Sequence, residues 1–261
     1  MKIHRIFAVV LRFLYAFKYS LERLTDAFYW PIIELLTWGL TSFYLRSLFP
    51  GASQVILVLL SGLMLNLILW RGQYEITINL LNDIWNKNMI NIFVAPLKFS
   101  EWITAFVILS IMKAVITFIF ASFVAYFLYQ FRILMFGFYL VPFILLILMT
   151  SWWLGFVISG LILIIGRKVE AFAWTLGGIL APFSAVFYPV SILPEWAQKV
   201  AAFVPTSYIF EGAREILDKG VLDPAKLYIS FTLNFIYLIL SLIFLRYSFG
   251  KVLKRGLIKT F

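Results

Sequence analysis

The stretch "FYPVSILPEWAQKVAAFVPTSYIFEGAREIL", Phe187–Leu217, decides how this chain is read. It follows a long apolar region, carries Pro189, Pro194 and Pro205, and then gathers charges. Proline has no backbone N–H and fixes its own φ, so prolines at this spacing divide the segment into short pieces. Pro194 opens a helix over "PEWAQKVAAFV", with Glu195 in the first turn, where the helix dipole favours an acid. Pro205 stops it, and "TSYIFEGAREIL" makes a second amphipathic piece with Thr206 or Ser207 as its cap. Tyr208, Ile209 and Ile216 form the apolar side of that piece, and Glu211, Arg214 and Glu215 the polar side. Such pieces lie at a membrane interface or dip into one leaflet without crossing it.

The rest of the chain supplies the membrane. Of 261 residues 63% are apolar and 13% charged, more apolar surface than a soluble interior can hold. A span needs about 20 apolar residues. Six segments qualify: 27–48, 55–70, 103–129, 135–165, 169–188 and 227–247. Runs such as "FILLILM", Phe143–Met149, do not alternate as barrel strands do, so the spans are helices. The expected fold is an all-α integral membrane protein, one domain over 1–261, with six transmembrane helices. An interfacial helix over 1–25 precedes them, and short re-entrant helices over 189–217 lie between spans five and six.

Charge sets the orientation. With the N-terminus inside, the inner segments carry fifteen basic residues: Lys2, Arg5, Arg12, Lys18, Arg23, Arg71, Lys87, Lys98, Arg167, Lys168, Arg246, Lys251, Lys254, Arg255 and Lys259. The outer segments carry six: Arg46, Arg132, Lys199, Arg214, Lys219 and Lys226. Both termini are therefore expected in the cytoplasm, and the net charge of +10 reports topology and contact with anionic lipid headgroups. The positive residues are scattered along membrane edges, so no nucleic-acid partner is expected. The chain has no cysteine, and its N-terminus lacks a signal peptide's unbroken apolar run, because Arg12 and Lys18 interrupt it.

Residues 2–24 mix basic and apolar residues at helical spacing, which fits an amphipathic helix in the inner interface or the frayed end of the first span. "FYWP", Phe28–Pro31, opens the first span with rings suited to headgroup level, and "FPGAS", Phe49–Ser53, turns tightly outside. Within "NLLNDIWNKNMINIFVAPLKFSEW", Asn79–Trp102, Asn82 or Asp83 caps a short helix running to about Asn91, and Pro96 interrupts before the third span. Residues 79–92 are thus a docking element or a solvated loop.

Small residues recur every fourth position in two neighbouring spans: Ser151, Gly155 and Ser159, then Ala173, Gly177, Ala181 and Ala185. In lipid, close backbone approach and dispersion hold helices together, so these stripes are expected to face packed protein, with each other as one candidate partner. Pro142 and Pro182 predict bends, either static or hinged, and Gly177-Gly178 make the fifth span the most deformable.

Catalytic equipment is sparse. His4 is the sole histidine, no His/Cys cluster has metal-ligand spacing, and a Ser-His-Asp set has no histidine within the spans. "GKVLKRGLIKT", Gly250–Thr260, has Leu257 where a phosphate-binding loop needs lysine, so the chain itself is expected to bind no nucleotide cofactor. Two charges fall inside spans: Glu34, ~10 Å into the first, and Lys113, ~15 Å into the third, at 1.5 Å per residue. They pair with each other across a path, or Lys113 snorkels. One intramembrane glutamate is a thin proton relay, which weighs against an ion-coupled transporter or channel. A lipid-modifying enzyme lacks its acids and histidines.

Taken together, "FYPVSILPEW", "VPTSYIFEGAREIL", the final apolar span, and "VAPLKFSEW" before the third span resemble the membrane subunits of ATP-binding-cassette type-2 exporters. The likeness covers essentially the whole chain. It implies two such subunits, identical or paralogous, around a central path. It implies separate ATPase subunits that bind ATP and Mg, in the cytoplasmic membrane of a prokaryote. It also implies that the short inner helix docks into the ATPase, through Asp83, Trp85, Lys87 and Met89, and that the outer helices close the path through Pro189, Pro194, Pro205, Glu211 and Arg214. Drugs, lipids and lipid-linked glycans are all carried by similar subunits.

Overall fold

The computed structural model describes residues 1–48, 53–169 and 171–255. Among them are ten α-helices and no strand. They are α1 (Ile3–Tyr19), α2 (Leu21–Leu48), α3 (Ser53–Trp85), α4 (Met89–Val94), α5 (Phe99–Tyr129), α6 (Leu140–Ile165), α7 (Phe172–Ser184), α8 (Glu195–Ala201), α9 (Pro205–Lys219) and α10 (Pro224–Arg255). Residues 49–52 of the expected outer turn, Glu170 and the lysine-bearing tail 256–261 lie outside the described residues.

Four helices, α3, α5, α6 with the turn before it, and α10, are long and apolar enough to cross a membrane. α3 and α6 sit at the centre, with α5 and α2 on one side and α10 on the other. Two continuous groups of buried apolar residues fill the interior, one around Leu63, Phe143 and Phe210, the other around Phe106, Phe156 and Leu245. Polar side chains tie the long helices where no water competes. Asn234 on α10 accepts from Thr150 Oγ1 at 2.8 Å and Trp153 Nε1 at 3.0 Å, and donates to Leu146 O at 3.1 Å, all on α6.

Several expected boundaries move. The chain leaves the helix at Ser20, whose backbone is extended, so the break between interfacial helix and first span falls before 25 and α2 begins at Leu21. α1 buries Ile6, Val10 and Phe13, one helical face, and Phe13 meets Phe106 of α5 edge-on at 5.6 Å. The second span does not end at Trp70. α3 runs on through Arg71 and Glu75 to Trp85, because Arg71, Glu75 and Asp83 are buried and ion-paired rather than solvated. The expected short helix over 79–92 is consequently two pieces, the last turns of α3 and the six residues of α4, separated at Lys87, which has φ +53°.

The fifth apolar segment, expected over 169–188, is helical for only the 13 residues of α7. At 1.5 Å per residue that is ~20 Å, short of the ~30 Å hydrocarbon thickness. Pro182 lies inside it, and Ala185 ends it in the left-handed conformation at φ +54°. From there the chain turns back along α3. Gly62 makes that possible: a Cβ at this position would lie 2.4 Å from the Val186 carbonyl oxygen. Expected stripe neighbours also change. Gly155 packs on Ile76 and Gln73, and Gly177 on Gln73 and Trp70, so at these two glycines the stripes face α3. Ser151 faces Gly72, and Ala173 accepts a 3.2 Å hydrogen bond from Gln73. Ser159 is buried in α6, Ala181 is packed against the core and Ala185 is fully buried.

Candidate functional site

Three places collect polar groups, and the helix order sets their positions. The end of the bundle holding α1, α4 and the start of α5 is braced by α1. Arg12 grips Asp83 through both carboxylate oxygens at 2.8 Å, and Arg5 donates to the Pro96 carbonyl and lies 3.6 Å from Glu101. Glu101 also accepts from the backbone of Lys2 at 2.7 Å and of Lys98 at 3.0 Å. Asn88 adds a 3.2 Å bond to Asp83. Asp83 and Met89 are therefore buried inside the elbow, while Trp85, Asn86, Lys87, Asn91 and Val94 are exposed at its tip.

A cavity of about 480 Å³ opens between α2, α3, α5 and α7, lined by Asp26, Arg71, Glu75, Asn79, Lys113 and Trp174 among others and reaching Trp85 at the end of α3. Four of its charges form one chain. Asp26 accepts from Arg71 at 2.9 Å, Arg71 reaches Glu75 at 2.7 Å, and Glu75 accepts from Lys113 at 2.5 Å. Lys113 Nζ also sits 4.8 Å from the centroid of the Phe17 ring at the end of α1. Two cations and two anions cancel, which is how such charges survive in a low-dielectric setting. Tyr74 and Trp174 give aromatic walls, meeting at 5.1 Å, and Trp70 stacks on Tyr74 at 5.7 Å from the neighbouring hollow. Glu34 lies in a neighbouring hollow of about 280 Å³ with Trp30 and Thr117.

The expected Glu34–Lys113 pair is therefore not made; Glu75 holds Lys113 instead. Asp26 and Glu75 were overlooked as site residues. The signal that could have found Glu75 is the i, i+4 spacing of Arg71 and Glu75, an ion pair that a continuous helix places on one face; Asp26 joins them only through the fold.

At the opposite end, α9 is stapled to its surroundings. Glu211 Oε1 accepts from Val190 N at 2.6 Å, just after Pro189, and from Arg214 at 3.2 Å. Arg214 also donates weakly to Val186 O at 3.4 Å, and burial lowers its affinity for the proton. Glu215 accepts from Lys226 at 2.7 Å, Asp223 N and Lys219 at 3.3 Å, and these donors, Lys226 foremost, hold its carboxyl down at about 2. Pro194 is the N-cap of α8, as its φ restriction leads one to expect. Pro205 does more than end α8: it is the first residue of α9, with Val204 as N-cap. Thr206 and Ser207 do not cap; Thr206 lies 2.7 Å from Ser184 Oγ, and Ser207 donates to Ala201 O and Val204 O. Tyr237, well along α10, donates to Phe203 O, and Ser230 to Pro205 O, both at 2.9 Å.

This is a multi-pass helical membrane protein with a polar, charge-balanced hollow among its helices and a braced elbow at one end. The sequence pattern of the ABC-2 type transporter family matches residues 7–217. The chain belongs to that family and is the membrane permease component of an ATP-binding-cassette transporter, the transport subunit rather than the catalyst. Members of the family generally pair with ATP-binding-cassette ATPase subunits. No curated protein matches the chain.

Proposed function

We propose that this chain is the membrane half of an ATP-driven exporter that moves an amphiphile across the cytoplasmic membrane of a prokaryote. It works as a pair of identical or paralogous permeases, with ATP and Mg held by separate ATPase subunits. The observation that carries this reading is the elbow. Arg12, Arg5 and Glu101 fix the α3–α4–α5 corner to α1, so a push on the exposed tip is passed to two long helices as a lever rather than absorbed by a loose loop. Trp85 and Lys87 offer the docking face, with Asp83 and Met89 holding it in shape. The sequence bias of fifteen basic residues in the expected inner segments against six in the outer ones supports cytoplasmic termini.

On the same reading α2 and α7 complete six crossings. The α8–α9 segment dips into the outer leaflet and gates the exit, supported by the bond between Phe203 and Tyr237, which lies 13 positions beyond Pro224 and hence ~20 Å along α10. Glu211, bound to Val190 N just after Pro189, and Arg214, bound to Glu211 and Val186 O, hold that gate shut.

Copurification tests this. A tagged copy should bring down an ATPase whose turnover rises with an amphiphile, and a cysteine at Lys199 should react with an impermeant maleimide from outside the cell. An isolated permease that moves solute with no ATPase, or a Lys199 site reached only from the cytosol, would overturn it.

A further inference from the structure

The cavity between α2, α3, α5 and α7 holds a group that the protein leaves unanswered. Asn79, on its wall, is 1% exposed, and both of its side-chain amide atoms are buried with no hydrogen-bond partner. Arg71, 6% exposed on the same wall, keeps its Nε unpartnered although its two terminal nitrogens are bound to Asp26 and Glu75. A buried amide without partners is unfavourable by an amount comparable to a lost hydrogen bond, and such groups in native proteins call for an explanation. The hollow beside it is large enough for a small polar head, at about 480 Å³.

The charges say what kind of head. Glu22, Asp26 and Glu75 face Arg23, Arg71 and Lys113, three acids against three bases. Arg23, whose Nη1 is also buried without a partner, offers one more donor, but the six charges sum to zero, so an anionic or cationic head would leave the set with a net charge and would lose its own hydration. An uncharged head offering both donors and acceptors would answer the Asn79 amide on both atoms and the Arg71 Nε with an acceptor. Trp174 and Tyr74 give flat apolar faces to its ring or chain. We infer that this cavity binds the uncharged, hydroxyl-bearing head of an amphiphile, with Asn79 as the specificity-determining contact and charged heads excluded. The inference rests on the permease reading above and names the substrate chemistry of that reading.

Equilibrium binding to the full chain in phosphatidylcholine nanodiscs, without any ATPase, tests it. The probes are n-octyl glucoside below its micellar concentration, n-octyl phosphate and n-octyltrimethylammonium, each corrected against empty nanodiscs. Saturable binding of the glucoside is expected, weakened at least about tenfold by Asn79→Leu, the loss of one buried hydrogen-bonded contact. Trp174→Ala, at a half-exposed site, should weaken it too, which keeps the test decisive if Asn79→Leu does not fold. Glu215→Gln, at the far end, should bind as the parent does. Equal binding of the phosphate or ammonium probe, or a glucoside affinity indifferent to Asn79 and Trp174, overturns the inference. Because no ATPase is present, absent binding beside ATPase-coupled transport would sink only the cavity, and binding without any ATPase partner would sink only the exporter.

Discussion

Lys113 Nζ lies 2.5 Å from Glu75 Oε2, and Glu75 at once reaches Arg71 at 2.7 Å with its other oxygen. One carboxylate on α3 thus answers cations from its own helix and from α5, and Glu34 answers neither. Removing one partner of such a buried set leaves an uncompensated charge, at a cost of about 3–5 kcal/mol. Glu75→Gln should lower the thermal midpoint of the purified protein sharply, while Glu34→Gln leaves it near the parent value. A Glu34 variant as damaging as the Glu75 variant would contradict the pairing.

Gly62 is the point at which α3 admits the returning chain. The obstacle to a side chain there is the Val186 backbone at 2.4 Å, not the tip of a movable residue. Overpacking of this kind costs about 1–3 kcal/mol, so Gly62→Ala should destabilise the fold by that order. Gly178→Ala, where nothing lies within 4 Å of the added carbon, should be silent. Thermal unfolding of the two variants side by side checks the contrast.

The Glu215 carboxyl is held at about 2 by Lys226 and its neighbours. Its ordinary value, about 4.3, applies in the unfolded chain. A carboxylate depressed on folding stabilises the fold above the unfolded value, and that contribution drains away as pH falls from about 4 toward about 2. The parent protein should therefore lose stability over this window more steeply than Glu215→Gln, which has no proton to take up. Parallel pH-dependent unfolding curves for the two would contradict the staple.

At the elbow, Lys87→Glu changes an exposed tip residue and should weaken ATPase copurification without lowering the thermal midpoint. Asp83→Asn removes the charge that Arg12 grips and should lower the midpoint as well as copurification. If Lys87→Glu leaves the complex intact, the tip is not the docking face.

The proline-spaced stretch was legible because φ restriction is a local property: Pro194 and Pro205 mark the starts of α8 and α9 whatever surrounds them. Long apolar runs revealed α5 and α10 for the same reason. α3 was misjudged because hydropathy treats Arg71, Glu75 and Asn79 as signs of water. The burial of Arg71 and Glu75 depends on partners 45 and 38 residues away, Asp26 and Lys113, which no window along the chain contains. The apolar run 169–188 did not reveal that its helix has only 13 residues, since apolar composition does not report where Pro182 and Ala185 end the helix. The small-residue stripes told that close packing occurs there and were silent on which helix does the packing.

The shortness of α7 bears on how the chain is made. A 13-residue helix is a poor candidate for independent partition into lipid, and its far end leans on Thr206, which in turn belongs to a helix seated against α10. Synthesis delivers α10 after α7, α8 and α9. The middle of this protein must therefore wait, partly inserted and dependent on whatever shelters it, until the ribosome releases the segment that completes its socket.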